Sequence, residues 1–281
     1  MKPGIYPNMT RKEYDAIGAI NISTLKKAKR GNSPRSVSMA HLKHAIDYPP
    51  EKTDALRVGI AAHLGIYESE RFHAECVIAP EVNKRTKAGK AELAEFEAVN
   101  SDKLILSRAE YEQCREIYAA VHRHETARAL LDGTQYKELA IVWVDPTTGL
   151  LCKGMLDGFG YHDRVGVISD AKTCQDASDS GFSKAIANFD YHVAAAWYLD
   201  GLNTIAPAQR RFAWIAAEKS APYGVATYWL DEEAYHTGRW WWMELIQRYA
   251  KCLETGIWPG YDSGISDIYL PGWCFTTGNA A

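Results

Sequence analysis

Asp157, Asp170 and Lys172 are the residues of this chain best suited to chemistry. The first closes the run Lys153-Gly-Met-Leu-Asp157, and the other two stand in Val167-Ile-Ser-Asp170-Ala-Lys172. Both runs read as strands. Two apart on a strand, Asp170 and Lys172 point to one face, and pairing of the strands as a hairpin would bring Asp157 to the same spot. Carboxylates this close resist joint ionisation, and a divalent cation resolves the conflict. Magnesium takes hard oxygen ligands in an octahedral shell and keeps several waters. Asp157, Asp170, the backbone carbonyl of Ala171 and a phosphate oxygen suit it. Lys172 is then placed to orient or deprotonate a water for in-line attack on a phosphodiester. A surface hairpin with an ordinary Asp–Lys pair is the competing reading, because an isolated Asp-x-Lys occurs by chance in many proteins.

Two further residues are candidates for the same site. Glu138, near the head of Lys137-Glu-Leu-Ala-Ile-Val-Trp143, is either an additional metal or water ligand or a solvated charge at a strand end. His63, in Gly59-Ile-Ala-Ala-His63, is either a ligand or phosphate contact, or a satisfied core histidine.

The elements that must position these groups fall into two halves. In the first, Thr10 with Glu13 and Ser107 with Glu110 fit capping boxes, in which two side chains satisfy each other's free backbone donors. The second box leads a helix to about His124. Ser23 is expected to cap a short helix over 23–27. Asp54 opens a segment with Leu56, Gly59, Ala62, His63 and Ile66 at helical spacing. Residues 80–90 form a polar, basic loop or helix start. Further on, strands are expected over 139–145, 150–160 and 165–171, joined by turns at 146–149 and 161–164. A helix follows, through about 191–201, then strands at 211–217 and 223–230 and an amphipathic helix over 232–254 that ends near Gly256. The order predicts an α/β fold: a mixed central sheet with an N-terminal helical elaboration. We expect one domain over 1–281, with a mostly helical part (1–130), a catalytic α/β core (131–257) and an irregular tail (258–281).

Bulk properties narrow the classes. The chain has 281 residues, 47% of them hydrophobic, and a net charge of −3, which argues against nucleic-acid binding over the whole surface. A DNA enzyme with this balance must concentrate positive charge in a groove. The six cysteines form no CxxC pair or tight cluster, unlike a zinc or iron–sulfur module. They read as reduced thiols of a cytoplasmic protein. The N-terminus lacks an apolar core of the signal-peptide kind, and no apolar run approaches the ~20 residues of a membrane span. Lys84, Arg85, Lys87 and Lys90 make either a phosphate-binding loop or a solvated basic turn. Consecutive residues of a helix diverge, so Arg239-Trp240-Trp241-Trp242 suits core packing or a subunit interface better than a stacking platform.

Together these pieces resemble the PD-(D/E)xK (restriction-endonuclease-like) nuclease superfamily, and more narrowly the RecE-type phage and prophage exonucleases, the exonuclease VIII family. The resemblance runs in order through Gly4-Ile-Tyr, Tyr14, Ile22-Ser23 and Leu25, then Gly59 to His63, then Ala79-Pro80-Glu81 through Lys90. It continues through Glu138, Trp143, Asp145-Pro146 and Gly149-Leu-Leu-Cys152 to Asp157 and Asp170-Ala-Lys172-Thr173. It implies a magnesium- or manganese-dependent 5′-to-3′ exonuclease on linear double-stranded DNA, with two ions possible. It also implies 3′ single strands left for a RecT-like annealing protein, and a ring-shaped homo-oligomer, a tetramer, in a bacterial cytoplasm. By the same resemblance Asp157, Asp170, Ala171, His63 and Glu138 hold metal, and Lys172 activates water. Tyr191 and Tyr198 position the substrate, with Arg85, Lys87, Lys90, His192 and position 194 on DNA. One departure matters. The family helix reads Y-H-x-Q-x-x-x-Y, whereas here Tyr191-His192-Val-Ala194-Ala-Ala-Trp-Tyr198 puts Ala at the Gln position. A missing amide contact there would cost about 1–3 kcal/mol of transition-state stabilisation. Two rival readings stay open: a single-strand nuclease or endonuclease of the same superfamily, and a weakened scaffold that binds DNA ends.

Overall fold

The computed structural model describes residues 1–49, 54–261, 264, 265, 267, 268 and 270. In chain order the elements are β1 (Gly4–Tyr6), α1 (Arg11–Ala16), α2 (Ile22–Leu25), α3 (Met39–Asp47), α4 (Asp54–Tyr67) and α5 (Ser69–Glu75). Next come β2 (Cys76–Ile78), α6 (Lys87–Val99), β3 (Leu104–Leu106), α7 (Arg108–Arg123) and α8 (Glu125–Asp132). The second half runs β4 (Thr134–Val144), β5 (Leu151–His162), β6 (Val165–Cys174), α9 (Asp179–Asn188), α10 (Tyr191–Ile205), β7 (Arg210–Glu218), β8 (Val225–Trp229) and α11 (Glu232–Thr255).

Six strands form the central sheet in the order β1-β4-β5-β6-β7-β8. Only β6 and β7 run parallel, so the sheet is mixed, as the element order predicts. Strand β7 shows why it lies at the centre of the packing. Phe212, Trp214 and Ala216 enter the core shared with α10 and α11, while the alternate residues Ala213, Ile215 and Ala217 enter the core shared with α4 and α7. A strand apolar on both faces is buried on both. A third, smaller cluster joins Tyr14 and Ile17 to Ala140 and Val142.

Both capping boxes are present, Thr10 with Glu13 and Ser107 with Glu110. The helix expected from Ser23 starts one residue earlier, because Asn21 caps it instead, its side chain accepting from the Thr24 amide at 2.8 Å. Strand β4 starts five residues ahead of the expected position. Its first residues are polar and half to fully exposed, so no apolar alternation marked them. Helix α9 is additional to the expected elements; it is ten residues long and Phe182 is its one fully buried side chain. The N-terminal part is not purely helical, since β1 adds to the open edge of β4 and Ile20 bridges to Cys152. Of the Trp run, Trp241 and Trp242 are buried and Trp240 is 48% exposed. Cys76, Cys114, Cys152, Cys174 and Cys252 are free and buried, and Cys274 lies outside the described residues. Among the described residues no helix is long and apolar enough to cross a membrane.

Candidate active site

The site lies where β5 and β6 part. Their ladder runs from His162↔Val165 to Gly158↔Ser169 and then stops, although β5 stays paired with β4 and β6 with β7 well beyond that point. Asp157 and Asp170 are the next residues on each side, so both carboxylates stand in the crotch of a fork. The strand alternation also breaks here. Leu156 and Phe159, three apart, both pack on the same core cluster, so Asp157 and Gly158 occupy the interval where one residue is expected. Gly158 is required by what lies over it: an added Cβ would lie against Ser169 Oγ and 2.8 Å from the Tyr67 ring.

Helix α4 closes one side of the fork. Ala61 and Ala62 are wholly buried, and this small-residue packing lets the helix settle close enough to present two polar rings. His63 Nε2 lies 2.9 Å from Asp157 Oδ2. One turn later the Tyr67 hydroxyl donates to Ser169 Oγ at 3.2 Å. The His63 nitrogen is buried, and no other polar atom satisfies it. Helix α10 closes the other side. The Tyr191 ring sits 5.3 Å from Lys172 Nζ, and Tyr198 lies against Gly154, where a Cβ would come within 2.9 Å of its ring. Ala194 falls between the two tyrosines on the same helical face.

The charged groups are tightly coupled. Lys172 Nζ donates to Asp170 Oδ1 and lies 3.9 Å from Asp157 Oδ2. The Asp157 and Lys172 side chains are 25% and 26% exposed while Asp170 is 8% exposed. The first two therefore face the opening of the fork and the third forms its floor. Burial, and then the charge of Asp157 beside it, raises the carboxyl of Asp170 well above the usual carboxylate range, against the pull of Lys172. Burial also opposes ionisation of Asp157, yet His63 and Lys172 outweigh it and hold that carboxyl low. Lys172 is pushed up: its burial is overcome by Asp170 and Asp157, so the amine keeps its proton. As the groups stand, Lys172 is an ammonium held between the two carboxylates.

A divalent ion fits the donor set. Two carboxylates that share a site and a buried imidazole nitrogen beside them are hard and borderline donors converging from three elements. Still, among the described residues no three His, Cys, Asp or Glu side chains meet as a ready-made cage. Glu138 is not drawn into the cluster; its carboxylate lies 3.4 Å from Arg71 Nη1. The Ala171 side chain packs into the α4 core, leaving only its backbone to contribute.

The remaining candidates are placed as follows. His192 is half-buried, with Nδ1 3.3 Å from the Ile186 carbonyl oxygen, and burial lowers its pKa. Arg85 is exposed in the turn before α6, and Lys87 and Lys90 lie exposed in the first turn of that helix, with Thr86 as its cap. No hydrogen bond or ion pair among the described residues ties them to the fork. Tyr67, Gly158 and the Lys26–Lys29 pair next to α10 escaped the sequence reading. The Asp-Gly pair at 157–158 inside a strand was the one visible signal, as a mark of a bulge.

Residues 21–269 match a family described as PDDEXK-like domain of unknown function (DUF3799). The chain belongs to the DUF3799 family. A crystal structure from Eubacterium rectale, described as that of a candidate exonuclease, is similar to this DUF3799 chain with a TM-score of 0.61 and 14% identity, over 97% of this chain and 99% of that one. At that identity it shows the fold, a PDDEXK-like mixed α/β architecture. The crystal structure of SSO0001 is matched at a TM-score of 0.29 and 13% identity, over 60% of this chain and 81% of that one. No curated protein matches. The DUF3799 assignment gives the chain a PDDEXK-like domain, and the fork holds its Asp and Asp-x-Lys groups together.

Proposed function

We propose that this protein is a divalent-metal-dependent exonuclease on linear double-stranded DNA. It works 5′ to 3′ and leaves 3′ single strands for a RecT-like annealing protein. The observation that carries the reading is the fork itself, with Asp157, Asp170 and Lys172 meeting beside His63. The RecE-type resemblance supports the finer points: polarity, a tetrameric ring, and a phage or prophage enzyme in a bacterial cytoplasm.

Asp157, Asp170, His63 and the Ala171 carbonyl would hold Mg2+, or Mn2+ in its place, with room in the reading for a second ion. A divalent ion there supplies Lewis acidity, offsetting phosphate charge and acidifying water. The chain's own groups do the rest. Lys172, ammonium in form, holds a phosphate oxygen or the attacking water in line. Tyr191 and Tyr198 wall the fork and fix the approach of the strand, with His192 behind them. Arg85, Lys87 and Lys90 neutralise backbone phosphates, giving an otherwise acidic protein a local attraction for DNA.

The test is nucleotide release from a linear, 5′-phosphorylated duplex with Mg2+, run beside EDTA, a covalently closed circle and single-stranded DNA. Release from the linear duplex alone supports the reading. Cutting of the circle makes the protein an endonuclease, and preference for the single strand makes it a single-strand nuclease. Ala194 favours a second reading, a weakened DNA-end scaffold. End binding with no release would establish that instead.

A further inference from the structure

Phe189 stands between α9 and α10, and 60% of it is exposed. A single exposed aromatic is ordinary, but the backbone that carries this one is tied to a distant segment. The next residue, Asp190, is left-handed (φ 54°, ψ 42°) and caps α10 without a side-chain hydrogen bond to it. Outside glycine this conformation is uncommon, although aspartate enters it more readily than most residues, and it persists where its surroundings over-determine it. Two lysines from the N-terminal segment do so here. Lys26 Nζ donates to the carbonyls of Phe189 at 2.7 Å and Asp190 at 3.2 Å. Lys29 Nζ, its side chain 4% exposed, meets Asp190 Oδ1 at 2.7 Å and sits 4.6 Å from the Trp241 ring.

What the clamp presents is a flat apolar surface near the charged fork. The Phe189 ring stacks on Tyr191 at 5.6 Å and 26°, and Tyr191 is the ring 5.3 Å from Lys172. Tyr191 in turn rests on Phe182, 6.3 Å away. One side of Phe189 is therefore taken up, and the rest faces solvent at the mouth of the site. Folding gains little from fixing an exposed phenyl ring. A nucleobase gains much, because stacking on an aromatic ring contributes roughly 1–3 kcal/mol whatever the base.

We infer that Phe189 is a base-stacking residue that receives the nucleobase adjoining the scissile phosphate. This rests on the nuclease reading above. It adds a contact to the base itself, indifferent to sequence, two rings away from the lysine that faces the phosphate.

The experiment uses the full chain and a linear duplex with 2-aminopurine at the 5′ end and a dye at the far end. Ca2+ replaces Mg2+ for binding, and nucleotide release is followed separately with Mg2+. Base emission falls severalfold when wild-type protein saturates the dye anisotropy. Phe189→Ala and Phe189→Leu bind on the order of tenfold more weakly and at saturation leave the base as bright as in free DNA. Phe189→Trp restores the quenching. The Leu variant keeps apolar bulk without a π face, and melting curves show that each variant folds. Equal quenching by the wild type, Ala and Leu proteins overturns the inference while leaving the nuclease intact, as does release without any quenching. Failure of the wild type both to bind and to release nucleotides would remove the nuclease reading and this inference with it.

Discussion

Glu138 lies across the β4–β5 ladder from Asp157, between the pairs Lys137↔Gly158 and Leu139↔Leu156, yet the two carboxylates do not share a site. Its backbone is left-handed, with φ at 47°, and its side chain goes to Arg71, which also meets Glu68 at 2.6 Å and Glu75 at 2.7 Å. Directly opposed strand residues normally share a face. The turn of Glu138 out of that pattern leaves the fork with two acidic groups, not three.

The left-handed backbone at 138 can be tested by substitution. Glu138→Val, β-branched, should lower stability by about 1–3 kcal/mol in urea unfolding. Glu138→Gly should stay within about 1 kcal/mol of the wild type, because glycine adopts the conformation freely and the surface contact to Arg71 contributes little. Equal losses in both would mean that the side chain, not the backbone, matters there.

At the fork, Asp157→Asn, Asp170→Asn and Lys172→Met should each cut nucleotide release from linear duplex by at least roughly a hundredfold, as removal of transition-state charge stabilisation does. Duplex binding by Lys172→Met should remain measurable. Release within a few-fold of wild type in any of the three would remove that residue from the chemistry.

Metal binding has a readout independent of turnover. An ion that binds only the folded state raises the melting temperature, by an amount that grows with its concentration. Mg2+ or Mn2+ should therefore raise the melting temperature of the wild type over that in EDTA. Asp157→Asn and Asp170→Asn should show little or no shift. A shift that survives in both variants would place the ion elsewhere.

Ala194 sits between Tyr191 and Tyr198, half-buried on the face of α10 that covers the fork. Ala194→Gln should raise the rate of nucleotide release, by about tenfold if the amide supplies one transition-state hydrogen bond. An unchanged rate would show that another group already fills the role.

Stability in acid should depend on Glu110. Burial works against its carboxylate, but hydrogen bonds from the Ser107 amide at 2.7 Å and from Arg57 at 3.1 Å hold its pKa below the usual value. A depressed carboxyl contributes stability that is present above its unfolded pKa and lost as pH falls through the folded one. The melting advantage of wild type over Glu110→Gln should therefore be full at neutral pH and fade below the unfolded value of 4.5. An advantage that persists at about pH 3 would assign it to packing instead.

How much of this could be read from the chain depends on the range of each interaction. The capping boxes, the Pro146–Gly149 turn and the Gly256 stop are local, and their residues name them. Asp157, Asp170 and Lys172 were visible because strand periodicity puts two of them on one face and a hairpin brings the third. The splaying of β5 from β6 has no local mark, and Tyr67, which covers Gly158 at that point, comes from a helix some ninety residues earlier. Lys26 and Lys29 reach Asp190 across more than 160 residues, and nothing in their local sequence distinguishes them from solvated lysines. Glu138 shows the converse: its position in the chain suggests the fork, and one backbone angle sends it elsewhere.

The pairing of β1 with β4 has a practical consequence. Gly4, Ile5 and Tyr6 pair with Val142, Ile141 and Ala140, so the first residues hem the margin of the catalytic sheet. A variant trimmed to begin after Tyr6 would bare that hem, and bare strand margins are templates for edge-to-edge aggregation. The first strand therefore shields the sheet as well as widening it.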